Sequence, residues 1–410
     1  MRIKVSQSLL DFEKLYSKKA DLFVVGGFVR NSLLAINNSD VDLCGKLTIS
    51  QLEKLCKNSK FSVETVSAEL GTCKIKCDCD CWEYSTFRSE VYKDDGSHTP
   101  IKIKFIQDIS QDAKRRDFTI NSIYYNISKE AIFDPYNGVA DLKAKKVRCI
   151  ESPHFVFEND GLRILRMARI SAELGFKVEK QTFSVAKKMS YKVVDITGTR
   201  KLDELLKILN SDSVYGVKSA HKKGLRLLSK LGLWQNLFSG AGKIRFDLCF
   251  KVEKDDRFIA LLIDLLSSVK PQNISKYLSF ILSQTGLSKH EISKIDSIVC
   301  GYFDALERKK NKEYFFKYFS CFEEISKFLL RKNCSIFKRY NFFYRYIINH
   351  KIPIQTKDLK INGNDLKNFE NIPKKNYSQV LENLLNKVFD GKLKNEKQAL
   401  LMEVENACNN

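Results

Sequence analysis

The stretch FVVGGFVRNSLLAINNSDVDLCG, residues 23–45, sets a double glycine, Gly26–Gly27, ahead of Arg30 and of two aspartates one residue apart, Asp40 and Asp42. On a strand, carboxylates at i and i+2 point to the same face. Left unpaired they repel, so a buried pair takes up protons or a cation. Mg²⁺ suits them, being a hard ion that takes oxygen ligands and shares itself with substrate phosphates. Two such ions about 3.5–4 Å apart can clamp the attacking and leaving oxygens of a phosphoryl transfer. The glycine pair, without side chains, lets backbone N–H groups approach a triphosphate at a helix start. Arg30, a few residues into that helix, adds a planar cation for the same anion. Asp-x-Asp also occurs on solvated loops; the upstream Gly-Gly is what favours the phosphate reading.

These groups need elements to hold them. Up to about residue 146 the chain mixes short β-rich runs, DLFVVGG, IKIKFI and SIYYNI, with helical stretches. From about 153 onward apolar residues recur at three- and four-residue spacing, as in LRILRMARISAELGF, which predicts helices. Between 154 and 352 the one proline is Pro271, which favours a continuous helical array. KIPIQTKDLKINGNDLKNF, near 351–370, interrupts that array before a last helical segment, and no short internal repeat is present. The expected fold class is therefore α+β, with a mixed sheet and helices first and an all-helical remainder.

The 410 residues are 43% apolar and carry a formal net charge of +21. A chain of that length can hold two or more domains. The charge points to an acidic partner, nucleic acid or an anionic membrane surface, unless it reflects only the lysine-rich coding of an AT-rich genome. No apolar run approaches the roughly 18 residues that span a bilayer; FIALLIDLL, 258–266, reads as a buried helix. No secretion signal is visible at the N-terminus, so the twelve cysteines are expected to be reduced and the protein cytoplasmic. In CKIKCDCDCWE, 73–83, Cys77, Cys79 and Cys81 alternate and are expected in a row along one strand. Zinc sites space their ligands differently, which leaves metal as the lesser alternative there.

The stretch GGFVRNSLLAINNSDVDL resembles the nucleotidyltransferase signature of the DNA polymerase β superfamily. Its form is that of class II tRNA nucleotidyltransferases and bacterial poly(A) polymerases. The likeness continues in order. WEYSTFRSEVY resembles the family's strand with a third carboxylate, here Glu83, and KRRDFTINSIYYN (114–126) its Arg-Arg-Asp motif. DPYNGVADL (134–142) follows, and NDGLRILRMARISAELGF (159–176) resembles the nucleotide-selecting helix. DLKINGNDL (359–367) and GKLKNEKQALL (391–401) resemble the tail of bacterial CCA-adding enzymes. The resemblance implies a polymerase-β-like head over residues 1–146, a neck with the selecting helices over 147–210, a helical body over 211–345 and a tRNA-binding tail over 346–410.

The reaction implied is transfer of a nucleoside monophosphate from CTP or ATP to an RNA 3′-hydroxyl with release of pyrophosphate. Its substrate would be tRNA, held by its 3′ end and acceptor arm, with no membrane partner and no oligomeric state set by the pattern. By the same resemblance Asp40 and Asp42 hold Mg²⁺. Glu83 either assists the metal or accepts the 3′-hydroxyl proton, and Gly27, Arg30 and Arg116 face the triphosphate. Asp160 and Arg163, at i and i+3 on one helix face, become a base reader. Cytosine and adenine each present an exocyclic amine beside an accepting ring nitrogen. A carboxylate takes the amine hydrogen and a guanidinium donates to the ring nitrogen. Guanine and uracil would make both contacts repulsive. Arg166 and Arg169 continue the stripe toward the nucleotide. LERKKNKEYFFKYF and RKNCSIFKRYNFFYRYIINH interleave basic and aromatic residues, either for RNA or, for most of the aromatics, as helix-packing core. Asn31, Asn159, Ser97 and Thr199 depart from the family pattern. Full CCA addition is the leading expectation. CC-only or A-only addition, poly(A) synthesis and non-catalytic RNA binding on a degenerate scaffold are the alternatives.

Overall fold

The computed structural model describes residues 3–36, 40–77, 80–91, 101–238, 244–369 and 371–409. The chain forms two compact units, Met1–Gly242 and Lys243–Asn410. The position at 210, where the sequence suggests that neck gives way to body, falls inside the first of them.

The first unit opens with α1 (Gln7–Tyr16), capped by the Ser6 hydroxyl, then β1 (Leu22–Val25), α2 (Gly27–Leu33) and β2 (Asp42–Gly45). After α3 (Ile49–Cys56) come β3 (Ser62–Ser67), β4 (Thr72–Cys77) and β5 (Asp80–Thr86). A two-stranded ribbon, β6 (Arg88–Val91) with β7 (Lys102–Phe105), leads to α4 (Ile109–Lys114), β8 (Tyr124–Asn126), β9 (Ala131–Phe133) and α5 (Gly138–Lys143). The main sheet has seven strands in the order β3-β4-β5-β2-β1-β8-β9. Its centre is mixed, since β2 runs parallel to β5 and antiparallel to β1. Leu22, Val24, Leu43, Cys44 and Tyr84 are buried there, so β-branched, aliphatic and aromatic residues fill the middle strands.

Two sequence expectations change here. CKIKCDCDCWE is a hairpin rather than one strand: β4 ends at Cys77, and Cys81 on β5 pairs with Lys76. Cys77 is buried and Cys81 exposed, so they occupy opposite faces, and Cys79 lies outside the described residues. Asp40 precedes β2, whose first residue is Asp42, so the two carboxylates are not neighbours on a strand face.

The rest of this unit is helical apart from a short parallel pair, β10 (Lys146–Val147) with β11 (Lys177–Val178). Its α-helices are α6 (Pro153–Asn159), α7 (Leu162–Leu174), α8 (Lys180–Lys188), α9 (Gly198–Leu209), α10 (Ala220–Leu231) and α11 (Trp234–Leu237). Pro153 occupies the first turn of α6, where a missing N–H costs nothing. Gly175, at φ +68°, ends α7 in the left-handed conformation. Helix α7 packs on α9 and α10, burying Ile164, Leu165, Met167 and Ala168 and leaving its arginines as a separate stripe.

Helices are the only regular secondary structure among the described residues of the second unit. FIALLIDLL lies in the buried helix Arg257–Leu266, as expected. Tyr314, Phe315, Phe322 and Tyr340 pack against one another, so these aromatics are core, whereas Phe342 is 67% exposed. Leu359, Ile361, Leu366, Leu384 and Leu400 make a separate apolar cluster near the C-terminus. No helix among the described residues is long and apolar enough to cross a membrane.

Candidate active site

Strand β1 ends at Val25, which pairs with Asp42 of β2 on one side and with Tyr124 of β8 on the other. Across β2, Asp42 is paired with Glu83 of β5. One end of the sheet thus gathers acids around the glycine turn. Gly26 has φ +81°, and a Cβ on it would stand 3.1 Å from Asp42 Oδ2. Both facts call for glycine there. A Cβ on Gly27 would meet only ordinary contact, with Arg30 Nη2 at 3.6 Å.

A cleft of about 520 Å³ opens at this end of the sheet and is walled by α7. Gly27, Arg30, Asp40, Asp42, Arg116, Asp160, Arg163, Arg166 and Arg169 all line it, with Gly26, Arg115, Asp117, Asn121, Arg200 and Tyr215. Glu83 does not. It is exposed and borders an adjoining hollow of about 300 Å³ that shares Asp42, Arg115 and Arg116 with the cleft. Burial pushes the Asp42 carboxyl up to about 6, and the neighbouring charges of Asp40 and Glu83 add to the rise while Arg116 opposes it. Carboxylates crowded in this way suit a bound cation.

The arginines are held in different ways. Asp112, fully buried on α4, accepts from Arg115 Nε at 2.8 Å and faces Arg116 Nη2 at 3.5 Å. Tyr124 receives Arg116 Nε at 2.9 Å and donates to Asp112 at 2.9 Å, and the guanidinium lies over its ring. Arg166 meets Asp117 Oδ2 through Nε at 2.8 Å and Nη2 at 2.7 Å. Burial alone would raise Asp117, but Arg166 and Arg163, with the hydrogen bonds from Arg166 and Asn121, hold it down at about 2. Arg169 binds Glu204 at 2.6 Å and Glu173 at 3.0 Å. Arg30 is 5% exposed and, among the described residues, hydrogen-bonds only neutral groups: Asn31 Oδ1, Asn121 Oδ1 and the Tyr215 hydroxyl. Burial lowers its guanidinium from the ordinary value.

Asp160 and Arg163 do not share a helix face. Asp160 is extended and terminates α6, Gly161 turns the chain, and α7 begins at Leu162. The carboxylate accepts from Leu162 N at 3.0 Å and from Arg200 Nη2 at 2.9 Å. Arg163 donates to the backbone carbonyls of Arg115 at 2.7 Å and Val156 at 3.3 Å, which fixes its plane. A corner between helices, rather than periodicity, brings the two side chains to one cleft. It depends on Gly161, because a Cβ there would lie 2.5 Å from the Lys192 carbonyl oxygen.

Sequence reasoning assigned no role to Asp112, Asp117, Asn121, Arg200 or Tyr215. Asp117 closes the Arg-Arg-Asp run and Asp112 precedes it at helical spacing, so both left a signal. Tyr215, far along the chain in an irregular segment, left none. Among the described residues, no group of three or more His, Cys, Asp or Glu is disposed to hold a metal by itself. Mg²⁺ asks for less, because one or two carboxylates suffice when water and substrate phosphates supply the rest.

Three family models match in chain order. They are a poly(A) polymerase head domain over residues 22–148, an RNA- and SrmB-binding site of polymerase A over 175–243, and a tRNA nucleotidyltransferase domain 2 over 250–404. A CCA-adding enzyme of Ligilactobacillus salivarius is 28% identical over 406 residues, covering 96% of this chain and 94% of that one. Among solved structures, the Bacillus stearothermophilus CCA-adding enzyme in complex with CTP superposes with a TM-score of 0.71 at 21% identity, over 98% of both chains. The Thermotoga maritima CCA-adding enzyme complexed with tRNA does so with a TM-score of 0.61 at 21% identity, over 99% of both. These likenesses share the α+β head and helical remainder found here. With its acid pair and arginine-walled cleft in a matching head, the chain belongs to the nucleotidyltransferase family of CCA-adding enzymes and poly(A) polymerases.

Proposed function

We propose that this chain adds C, C and A in turn to the 3′ end of tRNA, from CTP and ATP and with release of pyrophosphate. The observation that carries the reading is a juxtaposition: the acid pair Asp40 and Asp42 and the corner Asp160–Arg163 border one cleft, so a single nucleotide can touch both. The relative aligned over nearly the full length bears the same activity in its name, and related structures hold CTP and tRNA.

Asp40 and Asp42 would hold Mg²⁺, and the raised Asp42 carboxyl fits a donor set that needs a cation. Bound there, the ion supplies charge neutralisation at the α-phosphate and activation of the 3′-hydroxyl. Glu83, outside the cleft but paired with Asp42, would orient it or take the hydroxyl proton from the side of the adjoining hollow. Arg30 and Arg116 face the polyphosphate, and Arg166 and Arg169 border the nucleotide. Gly26 keeps Asp42 in place, and Gly27 lets the phosphates approach the backbone.

At the corner, Asp160 accepts the exocyclic amine of C or A while Arg163 donates to the ring nitrogen beside it. Guanine and uracil reverse both polarities and leave buried groups unpaired. Arg200 holds the carboxylate and two carbonyls hold the guanidinium, so the pair meets the base already oriented. The cytoplasm, where tRNA is matured, is the proposed location.

Full-length protein incubated with tRNA lacking its 3′ end and with single nucleotides tests the function. CTP alone should add two residues, and ATP should then add one. Long runs of A from ATP alone would identify a poly(A) polymerase instead. Asp160→Ala or Arg163→Ala should admit UTP or GTP while the acid pair still works, and unchanged discrimination in both would dismiss the base reader.

A further inference from the structure

The hydroxyl of Tyr215, a half-buried residue lining the cleft, has an unusual set of partners. Arg30 carries only donors, so the Asn31 amide must turn Oδ1 toward it, and does, at 3.0 Å from Nε and 2.9 Å from Nη2. That orientation leaves the Asn31 Nδ2 facing Tyr215, to which it donates at 3.0 Å. Arg30 Nη2 donates to the same phenol oxygen at 2.9 Å. Both acceptor positions of the hydroxyl are therefore taken, and its one proton has to point elsewhere. Tyr215 lines the cleft beside Arg30 and Asn121. No carboxylate hydrogen-bonds the guanidinium next to it among the described residues; Glu173 and Asp117 act on it through space. Arg166 and Arg169, in contrast, each meet a carboxylate directly. A proton donor beside a cation that no described carboxylate hydrogen-bonds, both lining one cleft, makes a site for an oxyanion.

We propose that Tyr215 binds the polyphosphate of the incoming nucleotide, its O–H donating to a phosphate oxygen that Arg30 also contacts. Asn31 is the switch that makes this possible. An amide at that position donates to the phenol and turns its proton outward. A carboxylate would instead capture that proton and neutralise Arg30 in the same stroke. The inference rests on the nucleotidyl-transfer reading for the identity of the anion, but not for its existence.

The test uses the full chain and two variants, Tyr215→Phe and Asn31→Asp, with inorganic pyrophosphate as the probe in calorimetry and as inhibitor of CTP incorporation. Tyr215→Phe keeps the ring and should weaken pyrophosphate about tenfold, the worth of one hydrogen bond to a charged group. It should raise KM for CTP in parallel, with kcat within about twofold. Asn31→Asp keeps the tyrosine and should weaken pyrophosphate at least as much, so the proposal stays testable if one variant folds poorly. Affinity for tRNA should not move in either. Unchanged pyrophosphate binding in folded variants overturns the proposal. A loss confined to tRNA binding also overturns it, because it would assign the donor to an RNA backbone phosphate. If wild-type protein incorporates no nucleotide yet binds pyrophosphate in a Tyr215-dependent way, the transfer reading fails and the anion site stands.

Discussion

Asp42 is held by its neighbours on all sides: Val25 and Glu83 pair with it across the sheet, and Gly26 leaves its carboxylate just enough room. Asp42→Asn keeps the shape and removes the charge. It is expected to cut incorporation by more than about 100-fold, with tRNA affinity unchanged in a binding assay run alongside single-turnover kinetics. Asp117 yields a second expectation. Its native value of about 2 lies below that of an unfolded aspartate, so the stability it contributes is complete above about pH 4 and disappears as pH falls toward 2. Asp117→Asn should flatten the acid limb of a melting-temperature profile and, by releasing Arg166, lower kcat/KM. Residue types made the acid pair legible in the sequence, because clustered carboxylates beside a double glycine have few other uses. The counter-charges behind the arginines were less legible. Asp112, Glu173 and Glu204 look like ordinary helical acids until the fold sets them against Arg115 and Arg169.

At the scale of elements, the strands and helices followed from alternation and periodicity, but the points where elements meet did not. The arginine stripe at 163, 166 and 169 lies on one helix as spacing predicts. Asp160 was expected on that helix and stands outside it, because Gly161 breaks the run and the tight approach to Lys192 fixes the break. The cysteine-rich run failed for a similar reason: a hairpin reverses its direction at a place where alternation carries no mark. Gly161→Ala is therefore a test of the corner alone. It should destabilise the protein by roughly 1–3 kcal/mol and reduce the preference for CTP over UTP about tenfold, read from thermal melts and misincorporation assays. Intact discrimination in a folded variant would mean that the corner tolerates movement and that selection lies elsewhere.

For the molecule as a whole, a charge of +21 signals an acidic partner without locating it. Counterion release makes such binding steeply salt-dependent. Raising monovalent salt from 50 to 200 mM should weaken tRNA binding by about 100-fold or more, while pyrophosphate inhibition, set by buried groups, moves far less. Equal sensitivity of the two would argue that the cleft is wetter than its geometry suggests. Every wall of that cleft comes from the unit ending at Gly242. If the incoming nucleotide is chosen in that cleft, substitutions in the later helices should change RNA affinity more than base choice. On that reading, selection should bear on the helices through RNA binding and on the cleft through the chemistry. One polypeptide should therefore keep two evolutionary tempos.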